Sequence, residues 1–311
     1  MRWPPLTLPL SRSLPLPAKA GRGRQHRSPS PRPRGGRRGE RHSWGTLGFF
    51  LLFVVACAAV AAEPPAQPKV PHNAAAEAAT YERCMQLARQ NPGEARDLAQ
   101  SWHERGGAHP ADHCAAVALI GLKQYKEAAA RLEALAQAMT SAPTELRAEV
   151  LDQAGQAWGL AGDPVRAYAV AGAAVALDPN DPDLLIDRAQ AAASAGWFDK
   201  AVADLDHVLK KEPSRVDALI YRASANRALD RLDPALADIE KALAQLPNSA
   251  PALLERGNIR RLKGDGEGAR QDWERIGQLA PGSQADMAAK ANIEHLQTNG
   301  NADPATSSRG H

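Results

Sequence analysis

Four prolines follow one another at a fixed step of 34 residues in the C-terminal half of the chain. Other positions, occupied by alanine, leucine or a small residue, keep the same step without insertion or deletion. A period of about 20 to 50 residues indicates one supersecondary unit that is copied and stacked. The chain is therefore predicted to bury its apolar faces between neighbouring units. The recurring positions are Pro179, Pro213, Pro247 and Pro281; Ala167, Ala201, Ala235 and Ala269; Leu151, Leu185, Leu219 and Leu253; and Gly155, Ala189, Ala223 and Gly257.

The 34-residue step resembles that of the tetratricopeptide repeat family, whose unit is a pair of helices. Residues 148–281 are identified as four such repeats in succession. The resemblance implies an all-α fold, a right-handed α-solenoid of helix-turn-helix repeats. Local signals agree with this register, because a capping aspartate precedes a proline suited to the first helical position. These pairs are Asp163-Pro164, Asp181-Pro182 and Asp233-Pro234.

Two segments precede the four repeats and two follow them. Residues 75–147 have a helical pattern interrupted by glycine and proline, which predicts two irregular helical hairpins. Residues 282–297 predict a capping helix that covers the end of the stack. Residues 63–74 contain four prolines and predict a stiff linker. Residues 298–311 are polar and are predicted to be a disordered tail.

The N-terminal segment has the layout of an export signal. Residues 1–43 form a basic extension rich in Arg, Pro, Ser and Gly, with too little apolar area to fold. Residues 44–62 carry no charge and end in small residues, so a signal peptide cleaved near Ala62 is expected. Two other interpretations stay open: a membrane anchor, for which about 20 apolar residues suffice, and a lipoprotein modified at Cys57. In each case the repeats lie outside the cytoplasmic membrane, as a periplasmic or secreted protein, because the basic flank stays in the cytoplasm.

The basic extension is longer than the basic region of an ordinary signal. A start of translation downstream of Met1 would explain this length. A transit peptide would also explain it, since the segment is rich in Arg and Ser and nearly free of acidic residues. An arm that binds nucleic acid is a third interpretation.

Charge is distributed unevenly along the chain. The formal net charge is +3, but ten Arg and one Lys against Glu40 give the first 62 residues a net charge of +10. Residues 63–311 therefore carry −7. A mildly acidic repeat array argues against nucleic acid as its partner.

Cys84 and Cys114 are the cysteines that remain if residues 1–62 are removed. An even number of cysteines in an exported domain predicts a disulfide. Both lie on the predicted first helices of the two irregular hairpins, so the bond would join these units. A pair of free, reactive thiols is the alternative.

Histidines cluster in the second hairpin, in the segment 103–114. His109 and His113 are four residues apart, as metal-binding histidines on a helix can be. The simpler interpretation is that they are surface histidines near a helix end, and no metal or other cofactor is expected. The sequence contains no phosphate-binding glycine loop and no recognisable catalytic constellation, so no enzyme is predicted.

Arginine and aspartate occur together at two positions of the repeat. The three repeats that carry Arg on the first helix carry Asp 16 residues later, and the first regular repeat has Ala154 and Val170 there instead. This pattern predicts an ion pair between the two helices of each of these repeats; an arginine row that binds a ligand is the alternative. The predicted pairs are Arg188–Asp204, Arg222–Asp238 and Arg256–Asp272.

The resemblance implies that the first helices line a concave surface that binds extended peptides. At the corresponding positions the sequence has apolar residues flanked by amides and two arginines, suited to hydrogen bonding with a peptide backbone. The alternative is that the apolar residues pack between layers. The predicted groove residues are Gln156, Ile186, Gln190, Ile220, Ser224, Arg227, Leu254, Asn258 and Arg261.

One specialised ligand is disfavoured. Family members that clamp a C-terminal carboxylate have Lys near the start of the first helix, and this chain has Glu149, Asp183, Asp217 and Pro251 there. The leading hypothesis is a non-catalytic scaffold of an exported bacterial type, a source favoured by the Ala- and Arg-rich composition. It binds a peptide segment of a protein partner. The alternative is a metal or heme carrier that uses the segment 103–114.

Overall fold

A computed structural model describes residues 74–300 of the 311-residue chain. The predicted extension (1–43), the signal or anchor (44–62), the linker up to residue 73 and the tail from residue 301 lie outside the described residues. Two boundaries differ from the sequence prediction. Ala74, assigned to the linker, is the first residue of a helix, and the last helix continues to Gly300, past the predicted start of the tail.

Helices make up almost all of the described part of the chain. A π-helical turn, His103–Gly107, joins α2 to α3. The α-helices are α1 (Ala74–Gln90), α2 (Pro92–Trp102), α3 (Ala108–Gly121), α4 (Tyr125–Ala138), α5 (Thr144–Leu160), α6 (Pro164–Leu177), α7 (Pro182–Ser194), α8 (Phe198–Lys211), α9 (Val216–Ala228), α10 (Leu232–Gln245), α11 (Ala250–Leu262), α12 (Gly266–Leu279) and α13 (Gln284–Gly300).

Consecutive helices pair into helix-turn-helix units that stack side by side. In the regular repeats, α5, α7, α9 and α11 each pack against the second helix that follows and against the first helix of the next unit. Each unit therefore contacts its neighbours, as in a solenoid. The expected fold class, an all-α right-handed solenoid, is confirmed for the described residues. None of their helices is long and apolar enough to span a membrane.

The recurring prolines end the second helices. Helices α6, α8, α10 and α12 each stop two residues before a proline of the 34-residue series. The intervening residue leaves the helical conformation, as at Glu212, with φ −122° and ψ 72°. Proline disfavours the α conformation of the residue before it, so every second helix ends at the same point of the repeat.

Aspartates cap two helices as predicted. The carboxylates of Asp163 and Asp181 accept hydrogen bonds from backbone N–H groups of the first turns of α6 and α7. The prediction for Asp233 is wrong, because α10 begins at Leu232 and both Asp233 and Pro234 lie inside its first turn. Proline is tolerated there because the N–H groups of a first turn have no partner within the helix.

The turn between the two helices of a repeat requires a left-handed backbone conformation. Gly162, Gly196 and Gly264 have φ values of 78°, 78° and 87°. The equivalent residue of the third regular repeat is Asp230, with φ 63°. A residue with a Cβ is strained in this conformation, so this turn is less favourable than its three counterparts.

Asp230→Gly is expected to stabilise the protein by about 0.5–1 kcal/mol, because glycine adopts positive φ without steric cost. Urea denaturation of the full chain measures this change. Gly196→Asp is the matched control and should destabilise the protein by a similar amount. A loss of stability in Asp230→Gly would show that the aspartate side chain makes a favourable interaction that outweighs the strain.

Buried apolar residues form two clusters along the solenoid. The N-terminal cluster runs from Tyr81 to Val170. The C-terminal cluster includes Ala148 and runs from Ala174 to Ala289. Helices α5 and α6 contribute side chains to both clusters, so the two cores meet at the first regular repeat.

Candidate functional site

The paired arginines and aspartates lie between the two helices of a repeat. In all three repeats Nε of the arginine donates to Oδ2 of the aspartate 16 residues later, at 2.8, 2.8 and 2.9 Å. Nη2 donates to Oδ1 of the same carboxylate, at 2.5, 2.7 and 2.6 Å. The aspartates are buried and the arginines are about half-buried. Each pair is thus a two-bond contact inside its repeat: Arg188–Asp204, Arg222–Asp238 and Arg256–Asp272.

These contacts engage the arginines and keep them charged. Hydrogen bonds to Asp204, Asp238 and Asp272 raise the pKa of the paired guanidinium groups. In the fourth repeat Arg260 Nη1 also donates to Asp272 Oδ2, at 2.9 Å. Each of these guanidinium groups links the first helix of a repeat to the second. This favours ion pairs that hold the repeat together over a row of arginines that binds a ligand.

The predicted apolar stripe of the groove is wrong for two of its three residues. Ile186 and Leu254 are 4% and 5% exposed and belong to the C-terminal core cluster. Ile220 is half-buried against the same cluster. Ser224, predicted as a polar groove residue, is also buried. Successive first helices pack closely, so these side chains fill the space between layers and are not offered to a ligand.

Polar residues of the groove bridge neighbouring first helices. Gln156 Nε2, on α5, donates to Oδ2 of Asp152 on the same helix and to Oδ2 of Asp187 on α7, both at 2.8 Å. Gln190 Nε2, on α7, donates to Oδ1 of Asp187 at 3.0 Å. All four side chains are half-buried. They form a polar patch between the first two regular repeats, which we term the amide–aspartate patch.

Two carboxyl groups of the amide–aspartate patch interact directly. Burial, followed by the proximity of Asp187 and a hydrogen bond with it, raises the pKa of Asp152 well above its usual range. The nearby Asp181 acts in the same direction. Two carboxyl groups within hydrogen-bonding reach retain a proton between them more readily than either would alone.

The contribution of Asp152 to the free energy of unfolding is expected to fall as the pH rises above about 4, the ordinary pKa of aspartate. The unfolded chain releases the Asp152 proton at that pH while the folded chain retains it, so raising the pH favours unfolding until the raised folded pKa is passed. Urea denaturation at a series of pH values measures this. Asp152→Asn should flatten the dependence, and Asp97→Asn, at an exposed aspartate, should not. Equal slopes in both variants would exclude the shared proton.

Predicted groove residues on α9 and α11 contact the next first helix along the solenoid. Arg227 forms an ion pair with Glu255 of the next first helix, and its Nη2 donates to Ser224 Oγ at 3.4 Å. Asn258 Oδ1 accepts a hydrogen bond from Nδ2 of Asn292 on α13, at 2.9 Å. Arg261 is exposed. Hydrogen bonds thus run from one first helix to the next.

A buried hydrogen-bond chain joins the irregular hairpins to the regular repeats. The hydroxyl of Tyr81 on α1 lies 2.8 Å from Nδ1 of His113 on α3, and Nε2 of His113 lies 2.7 Å from Oε1 of Gln153 on α5. Burial lowers the pKa of His113 to about 4, so the ring is neutral. A neutral imidazole then donates from Nε2 to Gln153 and accepts from Tyr81 at Nδ1.

This environment corrects both interpretations of His113. The ring is fully buried, so it is not a surface histidine. Both of its nitrogens are hydrogen-bonded, so neither is available to a metal together with the half-buried His109. Among residues 74–300 no group of three or more His, Cys, Asp or Glu side chains is arranged to hold a metal ion.

Cys84 on α1 lies next to Cys114 on α3, in a position suited to the predicted disulfide. Their Cα atoms are 6.2 Å apart, and both side chains are fully buried in the N-terminal core cluster. On α1, Cys84 lies three residues after Tyr81, and on α3, Cys114 directly follows His113, so the cysteine pair is close to the Tyr81–His113 contact. Helices α1 and α3 thus carry both the cysteine pair and the Tyr81–His113 contact.

A family model matches part of the regular repeats. Residues 161–226 match the family model described as a tetratricopeptide repeat. The matched segment lies within the regular array, where the 34-residue step coincides with the observed helix pairs.

Residues 161–226 are similar to the tetratricopeptide repeat family, and the described helices have the helix-pair arrangement of that family.

Solved structures agree with this assignment at the level of the fold. A tetratricopeptide repeat protein from Parabacteroides merdae matches with a TM-score of 0.61 and 12% identity, over 72% of this chain and 89% of that one. The Cut9–Hcn1 hetero-tetramer of the APC/C matches with a TM-score of 0.54 and 15% identity, over 71% of this chain and 42% of that one. No curated protein sequence matches this chain.

Proposed function

We propose that this tetratricopeptide repeat protein is a non-catalytic scaffold that binds an extended segment of a partner protein along its row of first helices. The fold supports a role in protein–protein interaction. The observation that carries the finer proposal is the series of half-buried polar side chains on successive first helices: Asp152, Gln156, Asp187, Gln190, Arg227 and Asn258.

The chemistry of this row suits a peptide backbone. Amide side chains both donate and accept hydrogen bonds, so Gln156, Gln190 and Asn258 match the alternating N–H and C=O groups of an extended chain. The burial of Ile186 and Leu254 leaves the row without a continuous apolar stripe. Recognition by hydrogen bonds to the backbone is therefore favoured over the insertion of apolar side chains.

Site-specific crosslinking tests the proposed surface. A photo-crosslinking residue at Gln190 should capture a partner in cells that produce the protein. The matched control is the same residue at Ala203, which is exposed on the second helix α8. Capture at Gln190 that is lost in Gln156→Ala supports the row of first helices. Capture from Ala203 and not from Gln190 would contradict it.

We further propose that the repeats act outside the cytoplasmic membrane. The basic extension followed by the uncharged residues 44–62 supports export. The closeness of Cys84 and Cys114 also supports it, because a disulfide between them would persist in an oxidising compartment. Mass spectrometry of the native protein should find an N-terminus at Glu63 and no free thiol at either cysteine. A product that retains residues 44–62 would favour the anchor, and lipid on Cys57 the lipoprotein. Two free thiols would contradict the disulfide.

A further inference from the structure

Helix α13 keeps the register of the repeats. Met287, Lys290 and Ala291 lie 34 residues after Leu253, Arg256 and Gly257 of the fourth repeat. α13 packs against α12 and α11, just as α11 packs against α10 and α9. The amides of Asn258 and Asn292, also 34 residues apart, are hydrogen-bonded. In position and contacts, α13 is the first helix of a fifth repeat.

The face that a second helix covers in every other repeat is uncovered on α13. In the fourth repeat Leu253 and Gly257 are buried, and Arg256 is bonded to Asp272 on α12. On α13 the equivalent Met287 is 61% exposed and Ala291 is exposed. The side chain of Lys290 is 71% exposed, and its Nζ donates one hydrogen bond, at 2.9 Å, to Oδ2 of Asp286 on the same helix. An ammonium group has three N–H donors, so Lys290 can still bind a second carboxylate from outside. Within residues 74–300 no helix follows α13.

The chemistry of this face differs from that of an ordinary end cap. A terminal helix that only protects the stack from water requires a polar outer face. α13 instead keeps the order of a helix-binding face: an apolar residue, a cation and a small residue at the repeat positions. We name Met287, Lys290 and Ala291 the terminal face. It continues the interface that the preceding repeats make between their first and second helices.

The chain itself shows which helix fits such a face. Three second helices share an alanine, an aspartate three residues later, an apolar residue directly after it, and another small or apolar residue three further on. The alanine allows close approach, and the aspartate binds the cation of the first helix. The three examples are Ala201, Asp204, Leu205 and Val208; Ala235, Asp238, Ile239 and Ala242; and Ala269, Asp272, Trp273 and Ile276.

We propose that the terminal face of α13 docks an amphipathic helix of a partner protein that carries this pattern. The three matching helices of a second copy are already packed on α7, α9 and α11, so a copy has none to offer. The pattern occurs in neither 1–73 nor 301–311. The proposal concerns different residues from the row of first helices, so it does not rest on the proposed function.

A peptide taken from the chain tests the terminal face. The probe is a fluorescein-labelled peptide of residues 196–213, which contains α8, titrated into the full chain and followed by fluorescence anisotropy. Binding is expected, and Lys290→Glu should weaken it about tenfold or more, as should Met287→Glu. The peptide variant Asp204→Lys should restore binding to the Lys290→Glu protein. Val165→Glu, at a similarly exposed apolar residue on α6, is the matched control and should leave binding unchanged.

A covalent version keeps the test decisive if the free peptide binds weakly. A second copy of residues 264–281 is joined after Thr298 of the full chain. It should add a helix to the circular dichroism spectrum and raise the melting temperature, and Lys290→Glu should abolish the rise. Absence of both effects, together with absence of peptide binding, would overturn the proposal. Equal affinities of the two α13 variants and the unmodified chain would also overturn it. So would self-association lost in Met287→Glu, since the occupant would then be a second copy.

Discussion

Gly257→Ala is expected to destabilise the protein by about 3 kcal/mol, at the upper end of the usual cost of overpacking a core. A Cβ at this position would lie 2.8 Å from Cδ1 of Trp273, which is closer than carbon atoms pack. The indole is only 1% exposed and is enclosed by the C-terminal core cluster, so it has little room to move. Urea denaturation followed by circular dichroism measures the loss.

The chain supplies its own rescue for this variant. The third repeat has Ala223 and Ile239 at the positions of Gly257 and Trp273. The double variant Gly257→Ala/Trp273→Ile reproduces that arrangement and should recover most of the lost stability. Trp273→Ile also removes an indole N–H that is buried without a hydrogen-bond partner among the described residues.

A glycine with open space around it provides the control. Gly159 lies on α5, and a Cβ there would meet no atom within 4 Å. Gly159→Ala should therefore stabilise the protein by about 0.5–1 kcal/mol through its higher helix propensity. If Gly257→Ala behaved like Gly159→Ala, or if the double variant gave no rescue, close packing against Trp273 would not be the reason that glycine occupies position 257.

The second large effect is expected for Arg188→Ala, at about 3 kcal/mol, because removal of one partner leaves a buried charge uncompensated. Asp204 is 8% exposed, and Arg188 provides both of the hydrogen bonds described for its carboxylate. Urea denaturation at neutral pH measures the loss.

Replacement of both partners separates charge from packing. The preceding repeat has Ala154 and Val170 at the equivalent positions, and both are buried without a charge. Arg188→Ala/Asp204→Val should therefore cost much less than Arg188→Ala alone, since a hydrophobic pair often substitutes for a buried ion pair with little change in stability. A double variant as unstable as the single one would mean that the arginine stem, rather than the charge, holds the two helices together.

Features that depend on local chemistry or on the repeat step could be predicted from the sequence. Prolines end the second helices through the residue that precedes them, wherever the rest of the solenoid lies. The Arg–Asp contacts were predictable because both residues appear and disappear together at one spacing. That spacing has a single structural meaning, namely the two helices of one repeat.

Contacts between repeats were not predictable in this way. Gln156 and Asp187 are 31 residues apart, Arg227 and Glu255 are 28 apart, and His113 and Gln153 are 40 apart. These separations follow no common step, because they depend on how closely and at what angle successive first helices pack. The same packing buries Ile186 and Leu254, which face inward by register and are covered by the next unit. The sequence offered one signal for these contacts, namely polar residues on the same side of successive first helices.

The division of the core into two clusters has a consequence for synthesis of the chain. A ribosome releases the N-terminal residues first, and domains generally fold in that order. The N-terminal cluster is complete once Val170 has emerged, before the last three regular repeats have left the ribosome. Each later repeat can then fold onto a formed surface instead of nucleating alone. Stalled nascent chains long enough for α6 to have left the ribosome should accordingly already resist proteolysis.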